Sequence, residues 1–396
     1  MPPISHENRR SISLNAGSNS DEMVRTIWSC QEFVVHLGKR RHFQTASLSS
    51  FLYPNDSNAF PRLHCFQIPN QMPMKKGSTC ALITPFTPDG QIDLPGLEKL
   101  IQFHLDHGTD NLCVLGTTAE ASSMSMDERA TVLTTIVNQA KGKIPLLVGT
   151  GTINPNSVKE MTQQAIDLGA DANLVVSPYY VKPPQRGLIR HFTEIADMGL
   201  PVVLYNVPGR TSIDISDETI AALSMHEHIV GIKDATGDLR RLASLKSLLG
   251  DADSNFLKYS GDDATTTDYV LLGGDGCISV TANLFPGTMR KIMQACLAGD
   301  ADLAHKLNEP LVSLHDRLFV ESNPIPCKWA AQRLGLVDLA YCRPPLDEMD
   351  PEFHGTVEEA LKEAEFSILD SNLKAELQLE LEAGRSQYNQ TASLHI

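Results

Sequence analysis

Residues 229–237, with the sequence IVGIKDATG, combine a short apolar run with a polar turn that contains glycine. A stretch long enough for a helix follows the turn, and a similar run, PVVLYN, occupies residues 201–206. Runs that are apolar on both faces and are separated by helices are typical of strands in a buried parallel sheet. The number of such units along the chain then decides between the α/β fold classes.

The strand–helix unit recurs eight times, and successive runs end 19 to 33 residues apart. Eight units within about 200 residues predict an α/β fold of the (β/α)8 TIM barrel type. An open doubly wound sheet is the alternative, but no G-x-G-x-x-G follows the first strand, and Gly149-Thr150-Gly151 lacks the third glycine. The predicted strands are Cys80–Thr84, Leu112–Gly116, Pro145–Gly149, Ala172–Ser177, Pro201–Asn206, Ile229–Asp234, Leu257–Ser260 and Gly276–Ser279.

The predicted barrel covers residues 73–286, and a C-terminal helical region is predicted for 287–369, followed by an acidic and polar tail at 370–396. Residues 1–72 carry seven Lys/Arg against five Asp/Glu, whereas residues 73–396 carry 26 against 43. A Ser-rich, Arg-bearing leader of this kind is typical of an organellar transit peptide. A disordered extension or a misassigned start is the alternative. We therefore expect a plastid location in the first case and a cytoplasmic one otherwise.

Composition excludes several classes of function. A net charge of −15 and a pI near 5.3 argue against nucleic-acid binding. The sequence contains no run of 18 apolar residues, so it predicts no membrane-spanning helix. The eight cysteines form no C-x-x-C pair, and His226 and His228 lie in a polar segment, so we predict neither a metal site nor a cofactor.

Polar side chains at the carboxyl ends of barrel strands form the active site in this fold. The polar residues at the predicted strand ends include no histidine cluster, which argues against metal-dependent hydrolysis and Ser-His-Asp chemistry. A lysine, tyrosines, threonines and an arginine suit carbonyl chemistry through an imine. The candidates are Thr117 and Thr118 after the second strand, Tyr180 after the fourth, Tyr205 and Arg210 after the fifth, Lys233 on the sixth and Gly261 after the seventh.

Each of the main candidates has a structural alternative. Burial in an apolar strand disfavours the ammonium form of Lys233, as a nucleophile requires, but a lysine at a strand end also reaches solvent or pairs with Asp234. Tyr205 could shuttle protons or simply fill the core. Arg210 could bind a carboxylate through two hydrogen bonds or form a surface ion pair. Their joint placement on successive strand ends favours the functional interpretation.

From about Lys76 to Glu365, the chain resembles the dihydrodipicolinate synthase family, which belongs to the N-acetylneuraminate lyase-like superfamily of class I aldolases. Seven blocks carry the resemblance, in the family's order. They are Gly116–Glu120, Ser177–Tyr180, Tyr205–Thr211, Gly231–Gly237, Ser260–Asp263, Gly273–Asn283 and Asn323–Trp329.

The resemblance implies a lyase, a carbon–oxygen lyase by classification, that acts in lysine and diaminopimelate biosynthesis. Lys233 would form a Schiff base with pyruvate, and the derived enamine would attack L-aspartate 4-semialdehyde to give 4-hydroxy-tetrahydrodipicolinate. Tyr205 would be the general acid and base, with Thr117 and Tyr180 completing a proton relay. In the family, the tyrosine matching Tyr180 comes from the neighbouring subunit, which implies a homodimer or homotetramer.

The resemblance also implies the substrate-binding residues. Thr118 would hold the pyruvate carboxylate, assisted by main-chain groups near Ile278, and Gly261 is a further binding position. Arg210 would bind the carboxylate of the semialdehyde, and it favours the synthase over pyruvate-releasing aldolases of the N-acetylneuraminate or 4-hydroxy-2-oxoglutarate type. A non-catalytic paralogue is the remaining alternative.

Two departures from the family pattern stand out. Ala119 occupies a position that is usually glycine, so the loop must adjust if that position requires a positive φ. In lysine-inhibited relatives, His, Asn and Glu side chains near the subunit interface bind lysine. The corresponding stretches here, Ser125–Arg129 and Thr152–Ser157, lack them at the matching positions. We therefore predict weak or absent inhibition by lysine.

Overall fold

A computed structural model describes residues 73–368. Its strands form one closed parallel barrel in sequential order, which confirms the predicted (β/α)8 TIM barrel. The strands are β1 Gly77–Ala81, β2 Asn111–Val114, β3 Leu146–Gly149, β4 Ala172–Val176, β5 Val202–Asn206, β6 Ile229–Asp234, β7 Leu257–Ser260 and β8 Gly276–Ser279.

Helices alternate with these strands and continue beyond the barrel. Their starts follow ordinary capping rules: Ser125 and Glu128 form a capping box, and Asp93 accepts a hydrogen bond from the main chain of Gly96. The helices are α1 Leu94–Asp106, α2 Met126–Ala140, α3 Pro155–Leu168, α4 Gln185–Ala196, α5 Pro208–Thr211, α6 Asp217–Leu223, α7 Arg240–Leu249, α8 Thr266–Leu271, α9 Pro286–Leu297, α10 Ala301–Asn308, α11 Val312–Arg317 and α12 Ile325–Arg333, and residues 351–368 are also helical.

The first strand differs from its prediction. It was expected at Cys80–Thr84, but β1 begins three residues earlier and ends at Ala81. Ser78 and Thr79 are polar yet buried, and Asn111 of β2 donates to the Thr79 hydroxyl (3.0 Å). Beyond the strand, the Ile83 amide donates to the side chain of Asn283 (3.0 Å) instead of to a neighbouring strand. An apolar pattern alone therefore placed β1 too late.

The predicted C-terminal helices are present within the described residues. In α9, Met289, Ile292, Met293 and Cys296 are all buried, as their helical spacing indicated. No helix within residues 73–368 is long and apolar enough to cross a bilayer. The predictions for residues 1–72 and 370–396 lie outside the described residues.

One extra residue in β6 sets the direction of its side chains. Val202 pairs with Ile229 and Val203 with Gly231, so Val230 is a bulge opposite β5. Ile229 and Ile232 both pack outward against the helices, which strict alternation would forbid for residues three apart. Because of the bulge, Lys233, which follows Ile232, points towards the barrel interior.

A buried ion pair joins the C-terminal region to the loop after β2. Lys328 of α12 donates to the carboxylate of Glu120 (2.5 Å), and both side chains are almost completely buried. The same ammonium donates to the carbonyl of Tyr341 (2.8 Å), and the main-chain amide of Arg343 donates to Glu120 (2.8 Å). Burial lowers the pKa of Lys328, and the Glu120 carboxylate opposes that change. These contacts with the C-terminal region thus fix the loop that carries Thr117 and Thr118.

Replacing Lys328 with methionine should therefore destabilise the fold, because Glu120 would be left as an unpaired buried charge. We expect the free energy of unfolding in denaturant titrations to fall by about 3–5 kcal/mol. A second change, Glu120→Gln, should recover part of that loss. The control is Lys362→Met, which breaks an exposed pair with Glu358 and should cost at most about 0.5 kcal/mol. Equal losses in both lysine variants would contradict the assignment.

Candidate active site

Lys233 lies inside the barrel beside Tyr205. The two residues are direct partners in the pairing of β5 with β6, and each is only 7% exposed. The Lys233 Nζ lies 4.5 Å from the centroid of the Tyr205 ring. The Lys233 amine therefore faces the ring that carries the Tyr205 hydroxyl on the neighbouring strand.

Asp234 does not pair with Lys233, contrary to the structural alternative. Its carboxylate accepts hydrogen bonds from Asn206 (3.2 Å) and Thr236 (3.1 Å), and it faces Arg241 across 3.9 Å. Burial raises the pKa of Asp234, and the Arg241 guanidinium opposes this change. Within residues 73–368, Lys233 makes no ion pair, so its amine is not held by a protein carboxylate.

Two further residues define the space around the Lys233 side chain. A Cβ at Gly261 would lie 2.7 Å from the Lys233 Cε, so only glycine allows the lysine to extend past the end of β7. Burial raises the pKa of the Cys113 thiol to about 11, although the nearby lysine opposes this change. Cys113 therefore stays protonated near neutral pH and does not compete as a nucleophile.

Three of the predicted site residues line one cavity of about 510 Å³. They are Thr117 after β2, Tyr205 on β5 and Arg210 on α5. Tyr179 lines the same cavity, and its hydroxyl lies 3.1 Å from that of Thr152. The ends of strands β2, β3, β4 and β5 thus meet at one opening, as the barrel geometry requires.

The threonine loop accommodates Ala119 without strain. Thr117–Ala119 forms one turn of 3-10 helix, and Ala119 is buried within it. The left-handed conformation falls on the next residue, Glu120, at φ 56°. The expected conflict between an alanine methyl group and a positive φ therefore does not arise.

The described lining of this cavity does not include Lys233, Thr118, Ile278 or Gly261, and the first three of these residues are buried. Thr118 accepts a hydrogen bond from the side-chain amide of Asn323 (2.9 Å), and Asn323 also accepts from Arg210 through its main-chain carbonyl (3.4 Å). Ile278 lies in the barrel-interior cluster that contains Tyr205. Asn323 was not among the predicted site residues, although it begins one of the seven blocks that resemble the family.

Tyr180 stands apart from the other candidates. It is 86% exposed, and its φ of 68° lies in the left-handed region. Tyr179 was not singled out from the sequence, yet it is the member of this tyrosine pair that lines the cavity of the same chain.

The histidine pair considered from the sequence lies elsewhere. His226 contacts Asp197 across 3.1 Å, and the amide of His228 donates to the His226 ring. Among the residues that the structure describes, no group of three or more His, Cys, Asp or Glu side chains could hold a metal ion.

Comparison with known proteins identifies the family. Residues 74–364 match the model of the dihydrodipicolinate synthetase family. A 4-hydroxy-tetrahydrodipicolinate synthase of Shewanella baltica is 44% identical over 296 residues, which are 74% of this chain and 100% of the relative.

Solved structures agree with this match. The chloride-inhibited dihydrodipicolinate synthase of Acinetobacter baumannii, complexed with pyruvate, has a TM-score of 0.71 and 44% identity, over 73% of this chain and 98% of that one. The enzyme of Cyanidioschyzon merolae with lysine bound has a TM-score of 0.70 and 31% identity, over 74% of this chain and 99% of that one. The chain belongs to the dihydrodipicolinate synthetase family.

Proposed function

We propose that this chain is a 4-hydroxy-tetrahydrodipicolinate synthase, a carbon–oxygen lyase of lysine and diaminopimelate biosynthesis. The Lys233 amine attacks the keto carbon of pyruvate, and loss of water gives an imine. Loss of a methyl proton gives an enamine, whose carbon attacks the aldehyde of L-aspartate 4-semialdehyde. The amino group of the semialdehyde then displaces Lys233 and closes the ring, so the overall reaction releases one water.

The position of Lys233 carries this proposal. Its amine is buried, faces the Tyr205 ring at 4.5 Å and has no carboxylate partner among the described residues. Such an amine is available to a carbonyl group, whereas a paired ammonium is not. Tyr205 is assigned as the general acid and base, and Thr117, which lines the same cavity, passes protons to and from it.

The anion-binding residues favour the synthase over the other aldolases. Thr118 is assigned to the pyruvate carboxylate, with Gly261 and the main chain near Ile278. Arg210 lines the cavity mouth, where its guanidinium can bind the carboxylate of a short second substrate through two hydrogen bonds. A pyruvate-releasing aldolase has no need of this group. A non-catalytic paralogue would not be expected to retain the full set of candidate residues.

Tyr180 is assigned to the active site of a second subunit. Its exposed side chain cannot serve as a proton carrier for its own buried Lys233, but an exposed aromatic side chain is suited to an interface. The proposal therefore includes a homodimer, or a homotetramer built from such dimers, as the active form.

The cavity also bears on regulation. Met126, Arg129 and Ser157 line it beyond the catalytic residues, and none of its described lining residues carries a carboxylate. The Arg129 guanidinium is buried and donates to the carbonyl of Gly149 (2.6 Å). Burial lowers the pKa of Arg129 to about 10, so it remains cationic at neutral pH. A fixed cation without a carboxylate in the cavity lining disfavours the binding of free lysine, because lysine carries two ammonium groups.

Borohydride reduction in the presence of pyruvate tests the proposed function directly. Because the imine forms on one amine, peptide mass analysis should find the reduced adduct on Lys233 alone. Lys233→Ala should form no adduct and have no synthase activity. Lys258→Met serves as a matched control, because Lys258 is a buried barrel lysine that is paired with Asp275 (3.0 Å); if it folds, it should still form the adduct. An adduct on another lysine, or none, would refute the mechanism.

Mixed oligomers test the assignment of Tyr180. Tyr180→Phe and Lys233→Ala should each be nearly inactive alone. In an equal mixture of randomly paired chains, one site of each mixed dimer combines an intact Lys233 with an intact Tyr180, so about a quarter of the wild-type activity should return. Tyr179→Phe provides the comparison within the same chain. If mixing restores no activity while mixed dimers form, Tyr180 does not act across an interface.

Lysine should inhibit this protein only weakly, at millimolar concentrations or above, because of the cation in the cavity. The measurement is steady-state condensation with increasing lysine. Ser157→Glu introduces a carboxylate into the cavity lining and should increase the sensitivity to lysine. Inhibition of the unmodified protein at micromolar lysine would contradict the prediction.

A further inference from the structure

Asn323 contacts two residues to which the proposed function assigns the carboxylates of the two substrates. Its side-chain Nδ2 donates to the Thr118 hydroxyl at 2.9 Å, and its main-chain carbonyl accepts from Arg210 at 3.4 Å. Asn323 lies between α11 and α12, far from both residues in the sequence. It is 6% exposed, and the cavity lining does not include it.

The polarity of the contact with Thr118 is informative. An amide nitrogen only donates, so the hydroxyl oxygen must accept, and the hydroxyl proton is left for another acceptor. Within residues 73–368, the structure pairs that proton with no acceptor. A substrate carboxylate only accepts hydrogen bonds, so a hydroxyl of this polarity is suited to bind one.

The other half of the Asn323 amide argues against a purely stabilising role. Its Oδ1 is buried and has no hydrogen-bond partner among the described residues. An unpaired buried acceptor is costly, so the amide gains little as a structural element beyond its contact with Thr118.

We propose that Asn323 is a positioning residue that keeps the Thr118 hydroxyl proton directed to the pyruvate carboxylate and steadies Arg210 through its main chain. This inference rests on the proposed function. Asn323 does not touch the substrates itself. It acts by setting the donor direction of one side chain and the position of another.

Two features of the chain next to Asn323 support this role. Helix α12 begins two residues later, at Ile325, and the Ile325 amide donates to the carbonyl of Ser322 (2.9 Å). Five residues further on, Lys328 pairs with Glu120 of the threonine loop. Two contacts from one C-terminal segment therefore reach the same loop, and the one at Asn323 lies next to the catalytic cavity.

Asn323→Asp reverses the polarity of the contact while it preserves the shape of the side chain. A carboxylate accepts from Thr118, so the hydroxyl proton is withdrawn from the substrate. We expect the KM for pyruvate to rise by about 10-fold or more, and the rise for Asn323→Ala to be smaller, because alanine leaves the hydroxyl free to turn. The KM for the semialdehyde should change less, since the carbonyl that contacts Arg210 is retained. Pyruvate-dependent borohydride inactivation gives the same comparison without the second substrate.

A double-mutant cycle separates this effect from simple repulsion by the new charge. In a Thr118→Val background, Asn323→Asp should raise the pyruvate KM little further, because the hydroxyl whose hydrogen-bond direction it would reverse is absent. Asn308→Asp is the matched control: Asn308 is 8% exposed, contacts His315 (3.1 Å) and has no part in the proposed site. It should leave the KM for pyruvate unchanged.

The outcomes distinguish this inference from the function on which it rests. An unmodified protein that forms no adduct with pyruvate would refute the proposed function. A normal adduct in the unmodified protein, with an unchanged pyruvate dependence in both folded Asn323 variants, would overturn the role of Asn323 alone. Fully additive effects in the Thr118→Val background would also overturn it. Thermal melting identifies the folded variants, and the alanine variant serves if the aspartate variant does not fold.

Discussion

The orientation of Lys233 depends on the single-residue bulge in β6. If Val230 took a regular place in the pairing with β5 instead of forming a bulge, strict alternation from Ile229 would turn the lysine outward among the helices. The bulge requires a close approach to β7, where a Cβ on Gly231 would lie 2.5 Å from the carbonyl oxygen of Leu257. The glycine in the motif is therefore explained by packing, and the position of the amine follows from it.

The same alternation separates Lys233 from its neighbour Asp234. Once the lysine faces inward, the aspartate must face the other side of the strand, where Arg241 and Asn206 contact its carboxylate. A charged group beside the amine in sequence is thus kept away from it in space. This arrangement leaves the amine without a counter-ion among residues 73–368, as the proposed reaction with a carbonyl compound requires.

Much of the fold and part of the site were predictable from the sequence. Seven of the eight predicted strands lie within two residues of their observed bounds, because their apolar runs are continuous and buried on both faces. The meeting of Thr117, Tyr205 and Arg210 follows from their places at strand ends. The bulge at Val230 was not predictable, since no residue pattern distinguishes it from regular strand. Asn323 and Lys328 were also missed as site contacts, because they reach Thr118 and Glu120 across about 200 residues of sequence, and only tertiary packing brings them together.

The C-terminal region supplies what the barrel alone does not. A single 3-10 turn at Thr117–Ala119 has few hydrogen bonds of its own, and such a turn does not fix side chains accurately. The buried pair of Glu120 with Lys328 fixes the end of this turn, and Asn323 contacts its middle. The pair is costly to desolvate, so stability alone is a weak reason for it. Accurate placement of the two adjacent hydroxyl groups of the proposed site is a better reason, because a group that is displaced by an ångström loses much of its effect. In this protein the barrel therefore carries Lys233, the proposed nucleophile, and the helices beyond it determine how the adjacent threonines are placed.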